Sequence, residues 1–269
     1  MRLFQRIVLQ VLPLGCWLAA GTVGAQTMNS DLYAMLLDKY TREVPDVAGT
    51  RVDYAGLQHS REWQALIEEL EGFDPGRLQT REQRLAFWIN AYNMFAIDLV
   101  RRNFPVGSIR DLGWLFAPIW DKEAGRIGGR PYSLREIENE ILRPMRDPRI
   151  HAAIVCASSS CPSLRREPYM APKLHAQLDD ALRRFLENPH KGLRVDQLRG
   201  ILHLSKVFDW FEGDYAPAGG VLRFLLPYMP DAARTFVQWA GSDIRVSYLE
   251  YDWTLNDLDS GHAGRAQEE

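Results

Sequence analysis

Between Ala86 and Ile97 the chain carries no charged residue, inside a segment whose apolar positions recur at helical spacing. Leu85, Trp88, Ile89, Tyr92, Phe95, Ala96 and Leu99 follow the 3.6-residue period of one face, while Phe87, Met94 and Ile97 populate the opposite side. A helix that is apolar all round has to be enclosed by the rest of the fold, so this segment is expected at the centre of the molecule. Thr80 and Gln83 supply a capping box at its start, and it is expected to end near Arg102, ahead of Pro105. Two amides, Asn90 and Asn93, go into the core with it. An unpaired buried amide costs on the order of 1 to 3 kcal/mol, so each needs partners. Either they tie neighbouring loops to the helix, or one of them faces a cleft and donates to a ligand.

Around that helix the periodicity predicts further helices over residues 31–43 and 61–71. A second capping box, Ser133 to Glu136, opens a helix over 134–143 whose inner stripe is Leu134, Ile137 and Ile141, with Glu138 and Arg143 off it. Residues 151–156 (HAAIVC) are small and apolar and read as a buried strand. Residues 173–186 form an amphipathic helix, 193–196 and 201–204 a hairpin, and 205 onward an aromatic helical stretch with Phe208, Trp210 and Phe211. Gly128-Gly129 reads as a turn before Pro131, and residues 244–251 alternate as a last strand. The expected class is α+β: a helix-rich single domain with the buried central helix packed on a small, mainly antiparallel sheet.

Arg2 and Arg6, an apolar run over residues 7–20 and the small residues Val23-Gly24-Ala25 have the pattern of a secretory leader cleaved after Ala25. A lipid-anchored Cys16 fits less well, because Pro13 stands where that signal wants leucine. The run is broken by Gln10, Pro13 and Gly15, which argues against a membrane span and against stable insertion after cleavage. The expected organisation is a leader over 1–25, one domain over 26–256 and a mobile polar tail over 257–269. The location expected is periplasmic or secreted. Removing the leader takes the formal net charge from −3 to −5, which argues against nucleic acid or an anionic membrane as the main partner.

Cys156 and Cys161 then remain, within CASSSCP. In an oxidising compartment such a pair is a disulfide candidate, with a reactive thiol and two inert buried thiols as the alternatives. If 151–156 were a strand, His151 and Cys156 would point to opposite faces about 16 Å apart, so they would not form a dyad. Cys161, just ahead of Pro162, would sit at a helix N-cap whose free N–H groups favour a thiolate. The loop of Ser158, Ser159 and Ser160, with its amides, could equally hold a carboxylate or phosphate. His151, His203, Asp214, Asp252 and Asn256 are candidate helpers, against the plainer roles of satisfied core histidines and turn caps. No histidine pair or second cysteine pair has metal-ligand spacing, so neither a metal nor another cofactor is expected.

Five motifs in order resemble the family called domain of unknown function 547: FWINAYN from Phe87, Ile137-Glu138 to Arg143, His151 to Pro162, Ser205 to Trp210 with Asp214, and Tyr251-Asp252-Trp253 to Asn256. The resemblance implies an exported bacterial protein or a plant C-terminal module, and no particular reaction. A remote likeness to papain-like or transglutaminase-like enzymes would put the polar position of the central helix at Asn90, where those enzymes carry cysteine, so the nucleophile would have moved to the Cys156/Cys161 loop. The favoured expectation is binding of a small anionic or thiol-bearing peptide such as glutathione, or another small molecule, through Asn90, Tyr92, Asn93, Cys156, the three serines and Asp252. The alternative is a cysteine-dependent enzyme for acyl transfer or thiol exchange, with Cys161 as nucleophile and His151 or His203 as base.

Overall fold

The computed structural model describes residues 28–114 and 117–259. The expected leader and residues 260–269 of the expected tail lie outside them. The elements run α1 (Ser30–Tyr40), β1 (Thr41–Glu43), β2 (Thr50–Val52), α2 (Tyr54–Gln58), α3 (Arg61–Glu71), α4 (Arg81–Asn103), β3 (Glu123–Ile127), β4 (Arg130–Ser133) and α5 (Leu134–Glu136). They continue with α6 (Leu174–Glu187), β5 (Leu193–Asp196), β6 (Ile201–Leu204), α7 (Lys206–Trp210), α8 (Glu212–Tyr215), α9 (Val221–Leu225), α10 (Asp231–Ala240) and β7 (Arg245–Tyr248).

The central helix is α4. Its Thr80–Gln83 capping box is formed, and every residue from Leu85 to Val100 is buried, as the uncharged stretch requires. Asp98 lies within that span, and its carboxylate accepts from Trp63 Nε1 at 3.1 Å and pairs with Arg101 and Arg102. The fold is α+β, and the described residues form three small sheets: β1–β2, β3–β4 and β5–β6–β7, all antiparallel except the parallel β6–β7 pair. The hairpin β3–β4 packs on α4, so close that a methyl group on Gly125 would stand 2.3 Å from the Phe95 ring. Gly125→Ala is therefore expected to destabilise by about 1–3 kcal/mol, read by urea unfolding. The three-stranded sheet belongs instead to a second apolar cluster with α6 to α10, around Phe185, Leu202, Phe208, Tyr215 and Leu225.

Several elements depart from expectation, each for a local reason. The first helix stops at Tyr40 rather than residue 43. There Thr41 Oγ1 donates to the Leu37 carbonyl, and residues 41–43 pair with 50–52 across a turn closed by Gly49 at φ +67°. The helix over 134–143 keeps α form for only one turn and then widens into a π-helix over Ile137–Leu142. The run 151–156 is not a strand: Pro148–Ala152 is a 3₁₀ turn and the residues after it are irregular. Its backbone groups find a side chain in place of a neighbouring strand, since Asn93 donates to Ala153 O at 2.9 Å and accepts from Val155 N at 2.8 Å. The last strand is confined to Arg245–Tyr248. The tail does not begin after Asn256, because Asp257 is buried and Leu258 N–H donates to Val52 O at 2.9 Å. Among the described residues no helix is long and apolar enough to cross a membrane.

Candidate functional site

Cys156 and Cys161 are joined in a disulfide, and the tight ring they close places Ala157 at φ +61°. A non-glycine residue in the left-handed region is held there by its surroundings. The surroundings here are the C-terminal segment. Ser159 N–H donates to Thr254 O, Ser160 N–H to Asp252 O and Asn256 N–H to Ala157 O. The hydroxyls follow: Ser158 Oγ meets Tyr251 Oη at 2.9 Å, Ser159 Oγ meets Thr254 Oγ1 at 3.1 Å, and Ser160 Oγ accepts from Asp252 N–H at 2.9 Å. The three serines are buried, and their groups lace the loop to residues 251–256 rather than opening toward an anion.

Cys161 does not cap a helix, because no helix begins at Pro162: residues 162–170 are irregular. Its sulfur has other donors. Cys156 N–H stands 3.0 Å and Tyr251 O–H 3.1 Å from Cys161 Sγ. Behind the loop, Lys191 is enclosed and its Nζ donates to Cys161 O and Ala48 O, both at 2.7 Å. Burial pulls the Lys191 ammonium down to about 7.

The disulfide forms part of the wall of a cavity of about 300 Å³. Tyr92 from α4, Trp120, Trp210 at the end of α7, Phe211, Tyr251 and Trp253 supply its aromatic lining. Trp210 stacks on Trp253 with centroids 5.7 Å apart, and Tyr251 packs against both. The same wall holds His151 and Glu138. His151 Nε2 and Asp214 Oδ2 are 2.8 Å apart, and Arg143 forks onto both oxygens of Asp214 at 2.7 and 2.8 Å. Phe211 covers the imidazole face at 4.0 Å. The hydrogen bonds from His151 and Arg143 hold the Asp214 carboxyl well below the usual carboxylate range. Burial lowers the His151 pKa despite that carboxylate, so the ring is neutral and its Nε2–H is the donor to Asp214. Nδ1 is then a lone pair facing Glu138 Oε1 at 3.9 Å. Burial pushes the Glu138 carboxyl up to about 7, against the opposing pull of Arg143 and Arg135.

The structure thus gathers Tyr92, His151, Cys156 and Cys161 at one cavity, with Ser158 bonded to Tyr251 in its wall. His151 and Cys156 share that cavity rather than facing apart, because the strand on which their separation rested does not form. Neither central amide lines it: Asn90 clamps Tyr169 through its N–H and C=O at 2.9 and 2.8 Å, and Asn93 clamps residues 153 and 155. His203 sits in β6 between Arg194 and Ser247, away from the cavity lining. Asp252 closes its own turn, accepting from Thr254 N–H and Oγ1, and Asn256 accepts from Tyr54 O–H. Asp214 does orient an imidazole, that of His151. Glu138 is the residue that sequence reasoning missed. Its signal was an acid set directly after the apolar Ile137, beside the inner stripe of its helix, and the π-helix turns that position into the cavity, a frequent use of such turns.

Residues 76–186 match the family described as "Protein of unknown function, DUF547", which is the family the sequence resembles. The match takes in α4, Glu138, His151 and both cysteines, and ends before Asp214 and the aromatic residues of the C-terminal half. No curated protein and no solved structure matches the chain.

Proposed function

We propose that the protein exchanges thiols and disulfides, using the Cys156–Cys161 pair on a small thiol-bearing ligand held in the aromatic cavity. The observation that carries this reading is the pair of donors on Cys161 Sγ, the Cys156 N–H and the Tyr251 O–H. They stand where negative charge develops when that sulfur leaves, which is where fixed dipoles lower a barrier most. Cys156 is the less buried of the two residues, and its sulfur is the one attacked. A ligand thiolate forms a bond to Cys156 Sγ as the Cys156–Cys161 bond breaks, and the electron pair goes to Cys161 Sγ. A second thiolate attacks the ligand sulfur, releasing the ligand as its own disulfide and leaving the protein dithiol. A ligand disulfide runs the same steps backwards. Lys191 Nζ, donating to the Cys161 carbonyl, holds the backbone behind that thiolate. The serine groups being tied to residues 251–256, selection of the ligand falls to the aromatic wall and Glu138. Export through residues 1–25 belongs to the same proposal, since a periplasmic or secreted setting keeps such a pair oxidised.

The test is chemical. Cys161→Ser treated with cystamine is expected to hold half of it on Cys156 as a stable mixed disulfide, read by intact mass. Tyr251→Phe should slow reduction of the pair by small thiols about tenfold, the value of one donor of roughly 1.4 kcal/mol. A pair that resists dithiothreitol in the folded protein, yet opens at once in urea, would overturn exchange and leave a structural clamp beside a binding cavity.

A further inference from the structure

In the cavity wall two acceptors stand without a donor among the described residues. His151 spends its N–H on Asp214, and its Nδ1 is buried with no hydrogen-bond partner. The Glu138 carboxyl, 3.9 Å away and largely buried in the cavity wall, accepts no hydrogen bond among the described residues. Nor does it have a cation of its own: Arg135 is held by Asp121 and Arg143 by Asp214. A buried carboxylate left in this state is expensive unless something brings it a positive charge and N–H donors.

We infer that the ligand of this cavity carries a primary ammonium group that docks on Glu138, so that the substrate exchanged at the cysteines is a small aminothiol. The inference rests on the exchange reading for its thiol half; the ammonium half rests on the cavity alone. An ammonium has three donors, enough for Glu138 with one left to turn toward His151 Nδ1. The electron-rich rings of Tyr92, Tyr251 and Trp210 favour a cation beside them and disfavour a carboxylate. A cavity of about 300 Å³ suits a ligand of few atoms. Docking also fixes a proton balance. The groups facing Glu138 are Arg135, Arg143, Asp214, His151, Tyr92 and Tyr251. Burial dominates over their charges, so the free carboxyl is partly protonated near neutral pH; the ammonium ionises it and a proton is released. Affinity therefore rises with pH through neutrality.

Probes without sulfur separate the two halves. Tryptophan fluorescence of the oxidised full chain is titrated with benzylamine, benzyl alcohol and phenylacetate, which share a ring and differ in the head. At about pH 8 benzylammonium is expected to bind at least about tenfold tighter than the alcohol, and phenylacetate more weakly than either. The preference should vanish at about pH 5.5, where Glu138 is protonated, and in Glu138→Gln, while binding of the alcohol to Glu138→Gln reports that the variant is folded. Equal affinities for amine and alcohol, a preference that survives Glu138→Gln, or no saturable change with any probe overturns the ammonium site. The thiol half is read separately: cysteamine should reduce the pair about tenfold faster than 2-mercaptoethanol, each rate taken relative to a free disulfide. Benzylammonium selectivity with no reduction by either thiol sinks exchange and keeps the ammonium site; reduction without amine preference does the reverse.

Discussion

Asn93→Ala is expected to lower the free energy of unfolding by about 4 kcal/mol, because one amide satisfies two buried backbone groups and its loss strands both. The Asn93 side chain donates to Ala153 O and accepts from Val155 N–H, inside a core where neither group has a strand beside it. Asn90→Ala strands the Tyr169 N–H and C=O in the same way and should cost a similar amount. The two differ in what they do to the site. Residues 153–155 link His151 to Cys156, so Asn93→Ala is expected to abolish reduction of the pair by small thiols, while Asn90→Ala leaves that rate within a factor of a few. Urea unfolding gives the first quantity and stopped-flow reduction the second. A loss below about 1 kcal/mol for Asn93→Ala would mean that water or a shifted backbone replaces the amide, and the clamp would not be what holds the loop.

Glu138→Gln is expected to remove a loss of stability that the parent suffers as pH rises from about 4.5 to 7. The folded-state carboxyl is raised to about 7 by burial, above its unfolded value, so between about pH 4.5 and 7 the folded chain binds more protons than the unfolded one. Stability from this group is therefore present in mild acid and falls as pH rises, by about 3 kcal/mol across that window. His151 acts in the opposite sense, since burial depresses its pKa and the unfolded chain takes up the proton first. Asp214, held well below the usual range, contributes above the ordinary carboxylate pKa and loses its contribution only in stronger acid. His151 and Asp214 are present in both proteins, so the difference between Glu138→Gln and the parent isolates Glu138. The variant should gain on the parent steadily from about pH 4.5 to 7.5 in a series of urea unfolding curves. Parallel curves across that range would show that the carboxyl is hydrated in solution and titrates normally.

The scaffold was far more legible in the sequence than the site, and particular residues show why. Helix α4 announced itself through periodicity, a capping box and an uncharged middle, all local properties of one segment. The cysteine pair was legible as a disulfide among other options because its spacing and context are local too. The strand over 151–156 failed because a run of small apolar residues says only that the segment is buried. What saturates its backbone is the side chain of Asn93, sixty positions earlier. His151 and Cys156 were set apart by that same strand, and their convergence follows from its absence. Glu138 reached the cavity through a widened helical turn that no periodicity encodes. The aromatic wall is assembled from Tyr92, Trp120, Trp210 and Trp253, which are scattered along the chain. In each case the missing information was a tertiary contact rather than an intrinsic preference.

The lacing of residues 251–258 has one more consequence, for the order in which the protein comes into being. Tyr251 supplies a donor to sulfur, Trp253 a wall of the cavity, and Asn256 to Leu258 pair with the cysteine loop and β2. A ribosome that has just made Cys161 has yet to make any of them. The newborn chain thus holds two cysteines with half their setting missing, and the pocket closes only when the last stretch folds back against residues near the beginning.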